Sequence, residues 1–267
     1  MSSEAFYRSL GGGRYESGPA TAGPWSPGTQ HAGPPSALVG RAMERHEARP
    51  GMRVARVTVD LPRPVPVGPL DVEVTTIRSG ARSELLEGRI SSDGRTVLLA
   101  RAWRLVAAPD DTPDLSPLPP VPALPGPQPP QTMTGAYLDG YVSAMEWRFP
   151  PGAPGAQEPG FDTPGPGTAW TRQRVPLVAG EADTPLTRTL TAADSSWAVA
   201  FELDHRRGLV INTDVTLVLH RDPVGEWLCL RSATAAAGGG SGLAHGELHD
   251  GTGECGRILQ TLLVAGR

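Results

Sequence analysis

Apolar residues recur along this chain at two periods, and the order of the two periods repeats. Leu38, Val39, Ala42, Met43 and His46 follow Gly33-Pro34-Pro35 at spacings of three and four, and Pro50-Gly51 closes the run. The spacing predicts an amphipathic helix over 36–46. Prolines fit its first turn, where the N–H groups have no intrahelical partner. Alternating patterns then predict four strands, from Arg53 to Leu61, around Leu70, Val72 and Val74, from Ser83 to Ser91, and from Val97 to Val106, with Ser92-Asp93-Gly94 as a turn. A helix followed by a four-strand meander can bury its stripe on one sheet face.

The same order returns. Asp183 is a candidate N-cap, Pro185 stands in a first turn, and Leu186, Leu190, Ala193 and Trp197 form the stripe of one helix. After the Arg207-Gly208 turn come strands over Leu209 to His220, Glu226 to Ala235, Gly242 to His249 and Glu254 to Val264. Pro109 to Pro130 holds 10 Pro in 22 residues without hydrophobic period, which predicts an extended connector. Pro150 to Gly167, with 11 Pro or Gly in 18 positions, predicts a loop. The expected organisation is therefore α+β: a first repeat over 1–108, a Pro-rich linker over 109–132, and a second repeat over 133–267.

Composition narrows the chemistry. All 24 basic residues are Arg, against 28 acids, for a net charge of −4. A weakly acidic chain does not match nucleic acid or an anionic membrane. Without Lys there is no P-loop, Schiff-base or pyridoxal-phosphate lysine. No apolar run approaches a membrane span, and Met1 to Arg14 has no secretory h-region. Cys229 and Cys255, on neighbouring predicted strands, are read as buried reduced thiols, which with the missing leader predicts a cytoplasmic protein. No Gly-x-Ser-x-Gly elbow is present. His245-Gly246-Glu247-Leu248-His249 has its Glu one position late for the zinc motif and is read as an exposed strand face, so no metal and no cofactor are expected.

Three stretches carry a resemblance. The first is Gly23-Pro24-Trp25-Ser26-Pro27 with His31-Ala32-Gly33-Pro34-Pro35-Ser36-Ala37-Leu38. The second is Asn212-Thr213-Asp214-Val215-Thr216-Leu217 with Arg221-Asp222-Pro223 and Gly225-Glu226-Trp227. The third is Leu248-His249-Asp250 with Gly253, Gly256-Arg257 and Gln260-Thr261-Leu262-Leu263. In this order they resemble the acyl-CoA thioesterase II family, the double hotdog thioesterases, whose first helix usually opens with His-Gly-Gly-Pro-Pro; Ala32 stands where a Gly is usual. The resemblance implies two tandem hotdog repeats sharing one sheet, and hydrolysis of an acyl-CoA or acyl-carrier thioester without a covalent intermediate. It also implies an Asp, a hydroxyl residue and a Gln around the attacking water, which map to Asp214, Thr234 and Gln260. An ungapped alignment puts Ala235 at the hydroxyl position, with Thr234 one residue earlier. Oxyanion donors are expected at a helix start, either Asp194-Ser195-Ser196 or the His31 to Gly33 turn, where Gly33 and Ser36 would supply the N–H groups. Asn212 completes the expected substrate-binding set.

The residues taken alone leave alternatives open. Asp214 shares a strand face with Thr216, Val218 and His220, and Gln260 shares one with Ile258, Leu262 and Val264. Asn212-Thr213-Asp214 also fits a turn opening a strand, and Gln260 a satisfied core amide. Two other functions compete. One is a hotdog hydratase or dehydratase, whose Asp five positions before a His is missing here, since Ser26, Arg41, Ala200, Val215, Gly240 and Ala244 hold those places. The other is a non-hydrolytic acyl-binding or tailoring protein. Exposed sheet edges are compatible with a homo-oligomer.

Overall fold

Period-two alternation in the two meanders closes into one antiparallel sheet. A computed structural model describes residues 4–107, 121–152, 159–200 and 208–266. In chain order the strands are β1 (Tyr7–Gly11), β2 (Arg14–Ser17), β3 (Ala22–Gly23), β4 (Ser26–Gln30), β5 (Met52–Asp60), β6 (Pro69–Arg78), β7 (Ser83–Ser92), β8 (Arg95–Val106), β9 (Met145–Arg148), β10 (Gly167–Gln173), β11 (Gly208–Asn212), β12 (Asp214–Leu219), β13 (Leu228–Ala236), β14 (Ser241–Asp250) and β15 (Gly253–Gly266). The helices are α1 (Gly33–Arg45), α2 (Tyr141–Ala144), α3 (Pro185–Ala193) and α4 (Ser196–Val199).

The large sheet runs β1-β2-β6-β7-β8-β5-β12-β15-β14-β13-β10-β9, with β11 on the far part of β15, and β3 pairs separately with β4. Strand order on one side of the β5/β12 seam mirrors that on the other. At the seam Thr58 pairs with Thr216, and their hydroxyl oxygens are 3.2 Å apart, marking a pseudo-twofold axis. The two predicted repeats thus share a single hotdog-type sheet, on which α1 and α3 pack against each other.

Both helices open as their sequences dictate. Pro34 and Pro35 occupy the first turn of α1, and Leu38, Val39 and Met43 are completely buried, each stabilising the fold by about 1.5–3 kcal/mol. Gly40 lets α1 approach Leu190 of α3, since a Cβ there would collide with that side chain. Thr184, not Asp183, caps α3: its hydroxyl accepts the Thr187 N–H while Thr187 accepts that of Thr184. Asp183 instead accepts the Leu177 N–H at 3.0 Å.

Two predicted elements are broken. The second helix stops at Ala193, and Trp197 belongs to α4. The turn between them follows from the Ser195 N–H bonding Ala192 O at 3.0 Å. The strand over 209–220 divides at Thr213, so β11 and β12 pair with different parts of β15. The N-terminal hairpin β1–β2 and the edge strands β9 and β10 lie in segments for which the sequence pattern predicts no strand, because each is short and bordered by Gly or Pro. Residues 121–130 of the connector lie against β9 and β10, with Trp170 Nε1 donating to Pro122 O at 3.2 Å and Arg148 Nη1 to Pro125 O at 2.8 Å. Residues 109–120 of the connector, 153–158 of the second Pro/Gly stretch and Arg207 lie outside the described residues. Cys229 and Cys255 are buried thiols, pushed up to about 12 by desolvation, but β14 separates their strands. His249 is buried rather than exposed.

Candidate active site

The turn between α3 and α4 turns the Asp194 side chain toward the start of α1. Asp194 is 3 % exposed, so its carboxylate needs partners, and four groups surround it. Asn212 Nδ2 donates to Oδ1 at 2.7 Å, and Gln260 Nε2 lies 3.3 Å from the same oxygen. The Ala32 N–H donates to Oδ2 at 3.1 Å, and His31 Nδ1 lies 3.2 Å from it. The partial positive charge at the N-terminus of α1 favours a carboxylate in this place.

Each partner is itself fixed. Gln260 points inward from β15, donating also to Asp194 O at 3.1 Å and accepting the Trp197 N–H at 3.1 Å. Its pseudo-twofold counterpart is the apolar Ala102, as the pairings Thr58↔Arg101 and Thr216↔Leu259 show. The amide therefore occurs in the second repeat only. Asn212 sits at the β11/β12 break, and its Oδ1 has no hydrogen-bond partner among the described residues. His31 lies flat on Tyr141, ring centroids 3.7 Å apart and planes 5° apart. The Tyr141 hydroxyl donates to Thr191 O at 2.8 Å and is 2.9 Å from Ser195 Oγ.

The Gly33 N–H donates to His31 Nδ1 at 3.1 Å, which leaves the proton of the neutral ring on Nε2. Burial holds the imidazole pKa below the ordinary histidine value, outweighing the opposing charge of Asp194. A cavity of about 610 Å³ opens beside this cluster, and His31, Ala32, Asp194, Ser195 and Asn212 line it.

Family models for an acyl-CoA thioesterase N-terminal domain and C-terminal domain match residues 21–105 and 109–264. The chain belongs to the acyl-CoA thioesterase family. Among solved structures, this thioesterase chain is similar to a protein named as a thioesterase II from Thermobifida fusca YX, at 19% identity over 98% of this chain and 95% of that one, with a TM-score of 0.73. It is similar to a hot dog fold protein from Alicyclobacillus acidocaldarius, at 16% identity over 99% and 97%, TM-score 0.73. It is also similar to an acyl-CoA thioesterase II, TesB2, from Mycobacterium marinum, at 18% identity over 98% and 95%, TM-score 0.63. These structural matches, over nearly the whole chain, show the hotdog fold. No curated protein sequence matches the chain.

Measured on the thioesterase fold, the expected residues separate. Asp214 does not meet Gln260. Val215, Leu217 and Leu219 point into the core, so parity turns Asp214 to the outer face, where its Oδ1 accepts the Thr261 N–H at 2.6 Å. Gln260 faces inward and meets Asp194 instead. Thr234 is buried on β13, but its hydroxyl has no hydrogen-bond partner among the described residues and does not reach the cluster; Ala235 beside it is exposed. Gly33 and Ser36 offer no free N–H, because that of Gly33 binds His31 and that of Ser36 binds Ala32 O at 3.1 Å. Ala32 has a right-handed backbone, φ −73°, which explains how it replaces a glycine. His31, Ser195 and Asn212 do border the cavity, and Asp194 does so as a carboxylate rather than as part of a donor turn.

Elsewhere, Glu247, His249 and Glu254 bring three metal-capable side chains together, but Arg231 and Arg257 already pair with these carboxylates. Among the described residues no helix is long and apolar enough to cross a membrane.

Proposed function

We propose that this chain hydrolyses an acyl thioester by general-base activation of water at Asp194, with Asn212 and Gln260 positioning the carboxylate and the water. The observation that carries the reading is the Asp194 carboxylate itself. It is buried beside a cavity, with Oδ1 bound by both Asn212 and Gln260.

The reaction runs in two steps. Asp194 takes a proton as the water oxygen bonds to the thioester carbon. Asn212 Oδ1, an acceptor without a partner among the described residues, takes the second water hydrogen and fixes the direction of attack. Gln260 Nε2 holds Oδ1 in place. Negative charge gathers on the former carbonyl oxygen, and the Nε2–H of neutral His31 donates to it. Collapse breaks the C–S bond, and the Asp194 proton goes to the departing thiolate. The products are a free acid and a thiol, and the sequence needs neither metal nor cofactor. The two repeats, residues 1–108 and 133–267, act together, since His31 and Ala32 come from the first and Asp194, Asn212 and Gln260 from the second.

Thiol release from acyl-CoA substrates tests the reading. Wild-type chain releases free CoA, and Asp194→Asn does so at background rate. Undiminished release by a folded Asp194→Asn variant would overturn it.

A further inference from the structure

The deep part of the cavity is unlike the rest of the chain. Aromatic residues make up 5% of the sequence, as six Trp, four Tyr and four Phe. Five of those fourteen line this one space: Trp25, Tyr141, Trp147, Phe161 and Trp197.

The five form two groups. Trp25 stacks on Trp197 with centroids 5.9 Å apart. Trp25 remains 44% exposed, which puts this pair at the mouth. Tyr141, Trp147 and Phe161 are buried and meet edge to face: Tyr141 and Trp147 at 6.4 Å and 65°, Trp147 and Phe161 at 4.9 Å and 73°. Phe149 extends the series behind Phe161 at 5.2 Å and 80°. Met133 and Val142 line the same cavity, together with aliphatic residues such as Leu61, Val65 and Ile211 and polar ones such as Gln30 and Arg63.

The polar atoms of these rings are already bound. The Tyr141 hydroxyl donates to Thr191 O, and Trp147 Nε1 donates to Val142 O at 3.2 Å. A group lying against Tyr141, Trp147 and Phe161 meets ring faces and ring edges whose polar atoms are already engaged. His31 against Tyr141 joins this chamber to the Asp194 cluster.

We infer that the acyl group held in this chamber is a ring-bearing one, an arylacyl thioester rather than a long straight-chain one. The inference rests on the hydrolase reading for the identity of the thioester. Rings at these separations and tilts are arranged as aromatic pairs prefer, so an added ring continues the series. A planar group also loses little internal freedom on entering rigid walls, whereas a polymethylene chain loses a rotor at each bond. Trp147 and Phe161 are thereby specificity-determining residues.

The test compares phenylacetyl-CoA with the carbon-matched octanoyl-CoA and with palmitoyl-CoA on the full wild-type chain. The expected kcat/KM is at least tenfold higher for phenylacetyl-CoA than for either straight chain. In Phe161→Leu the phenylacetyl-to-octanoyl ratio falls at least threefold. Equal or better turnover of octanoyl-CoA or palmitoyl-CoA by wild type, or an unmoved ratio in folded Phe161→Leu, overturns the inference while leaving the hydrolase intact. If no thioester is cleaved, the hydrolase reading fails, and tryptophan quenching by S-phenethyl-CoA against S-octyl-CoA decides the chamber. Tenfold tighter binding of the phenethyl thioether supports it, and equal binding overturns it.

Discussion

Asp194 and Gln260 meet across 66 residues of sequence: the amide nitrogen of Gln260 lies 3.1 Å from the Asp194 carbonyl oxygen and 3.3 Å from its carboxylate. One side chain from a central strand thus holds both the backbone and the acid of the turn between α3 and α4.

The two acids of the second repeat are separable by substitution. Asp194→Asn lowers kcat/KM for acyl-CoA hydrolysis by roughly 10²- to 10⁴-fold, the usual contribution of a general base. Asp214→Asn, on the outer sheet face, keeps activity within about threefold of wild type. Initial rates of thiol release on both variants, with circular dichroism as a control for folding, check the pair.

Gln260→Ala leaves the Trp197 N–H and the Asp194 carbonyl without their partner. A buried polar group left unpaired costs about 1–3 kcal/mol. The variant unfolds at lower denaturant concentration by that amount and loses kcat more than it raises KM. Urea titration and steady-state kinetics on the same preparation read both effects.

Acid inactivation begins at His31. Burial holds its pKa below 6.5, so the ring is neutral at pH 7 and gains a proton only as pH falls past that lowered value. Protonation puts a hydrogen on Nδ1, where it displaces the Gly33 N–H and sets a cation 3.2 Å from Asp194 Oδ2, which makes the carboxylate a weaker base. The acid limb of the kcat profile therefore has its midpoint below 6.5, and this imidazole limb is lost in His31→Gln. The same shift affects stability. Between pH 6.5 and the folded-state value the unfolded chain binds the proton and the native one does not, so stability declines as pH falls through that window.

Asp250 ties the loop after β12 to the turn between β14 and β15. It accepts from Arg221 Nη2 at 2.9 Å, from the Val224 N–H at 2.8 Å and from the Thr252 N–H at 2.7 Å. These donors outweigh the desolvation of its burial and hold the carboxyl well below the usual carboxylate range. A depressed carboxylate contributes stability above its unfolded value of 3.8, and that contribution is lost as pH falls from there through the folded value. Asp250→Ala lowers stability by about 3 kcal/mol at pH 7, as the loss of a buried charged hydrogen-bond network requires, and differs less from wild type at pH 2. Thermal melts at the two pH values measure the difference.

Most of the architecture was legible because it depends on local period. The stripe of Leu38, Val39 and Met43 and the alternation over 53–106 and 209–264 specify what each segment buries. Repeating that order specifies two such units, and the resemblance to the double hotdog thioesterases implied that their sheets share an edge. The breaks at Ala193 and Thr213 were not legible. A helix stripe continues through Asp194 to Trp197 on paper, and the turn is made favourable by partners distant in sequence, Ala32 on the Asp194 carboxylate and Asn212 and Gln260 beside it.

From the residues alone came the alternation, and with it the face of the sheet on which each strand residue lies: Gln260 among apolar neighbours, Asp214 beside Thr216 and Val218. Which carboxylate stands opposite Gln260 was a matter for the tertiary structure. Parity assigns a side chain to a side of the sheet, whereas its partner is set by the helix turn packed over that side. That turn brings Asp194 to Gln260 while the strand carries Asp214 outward, because a buried amide and a buried carboxylate each gain most from the other.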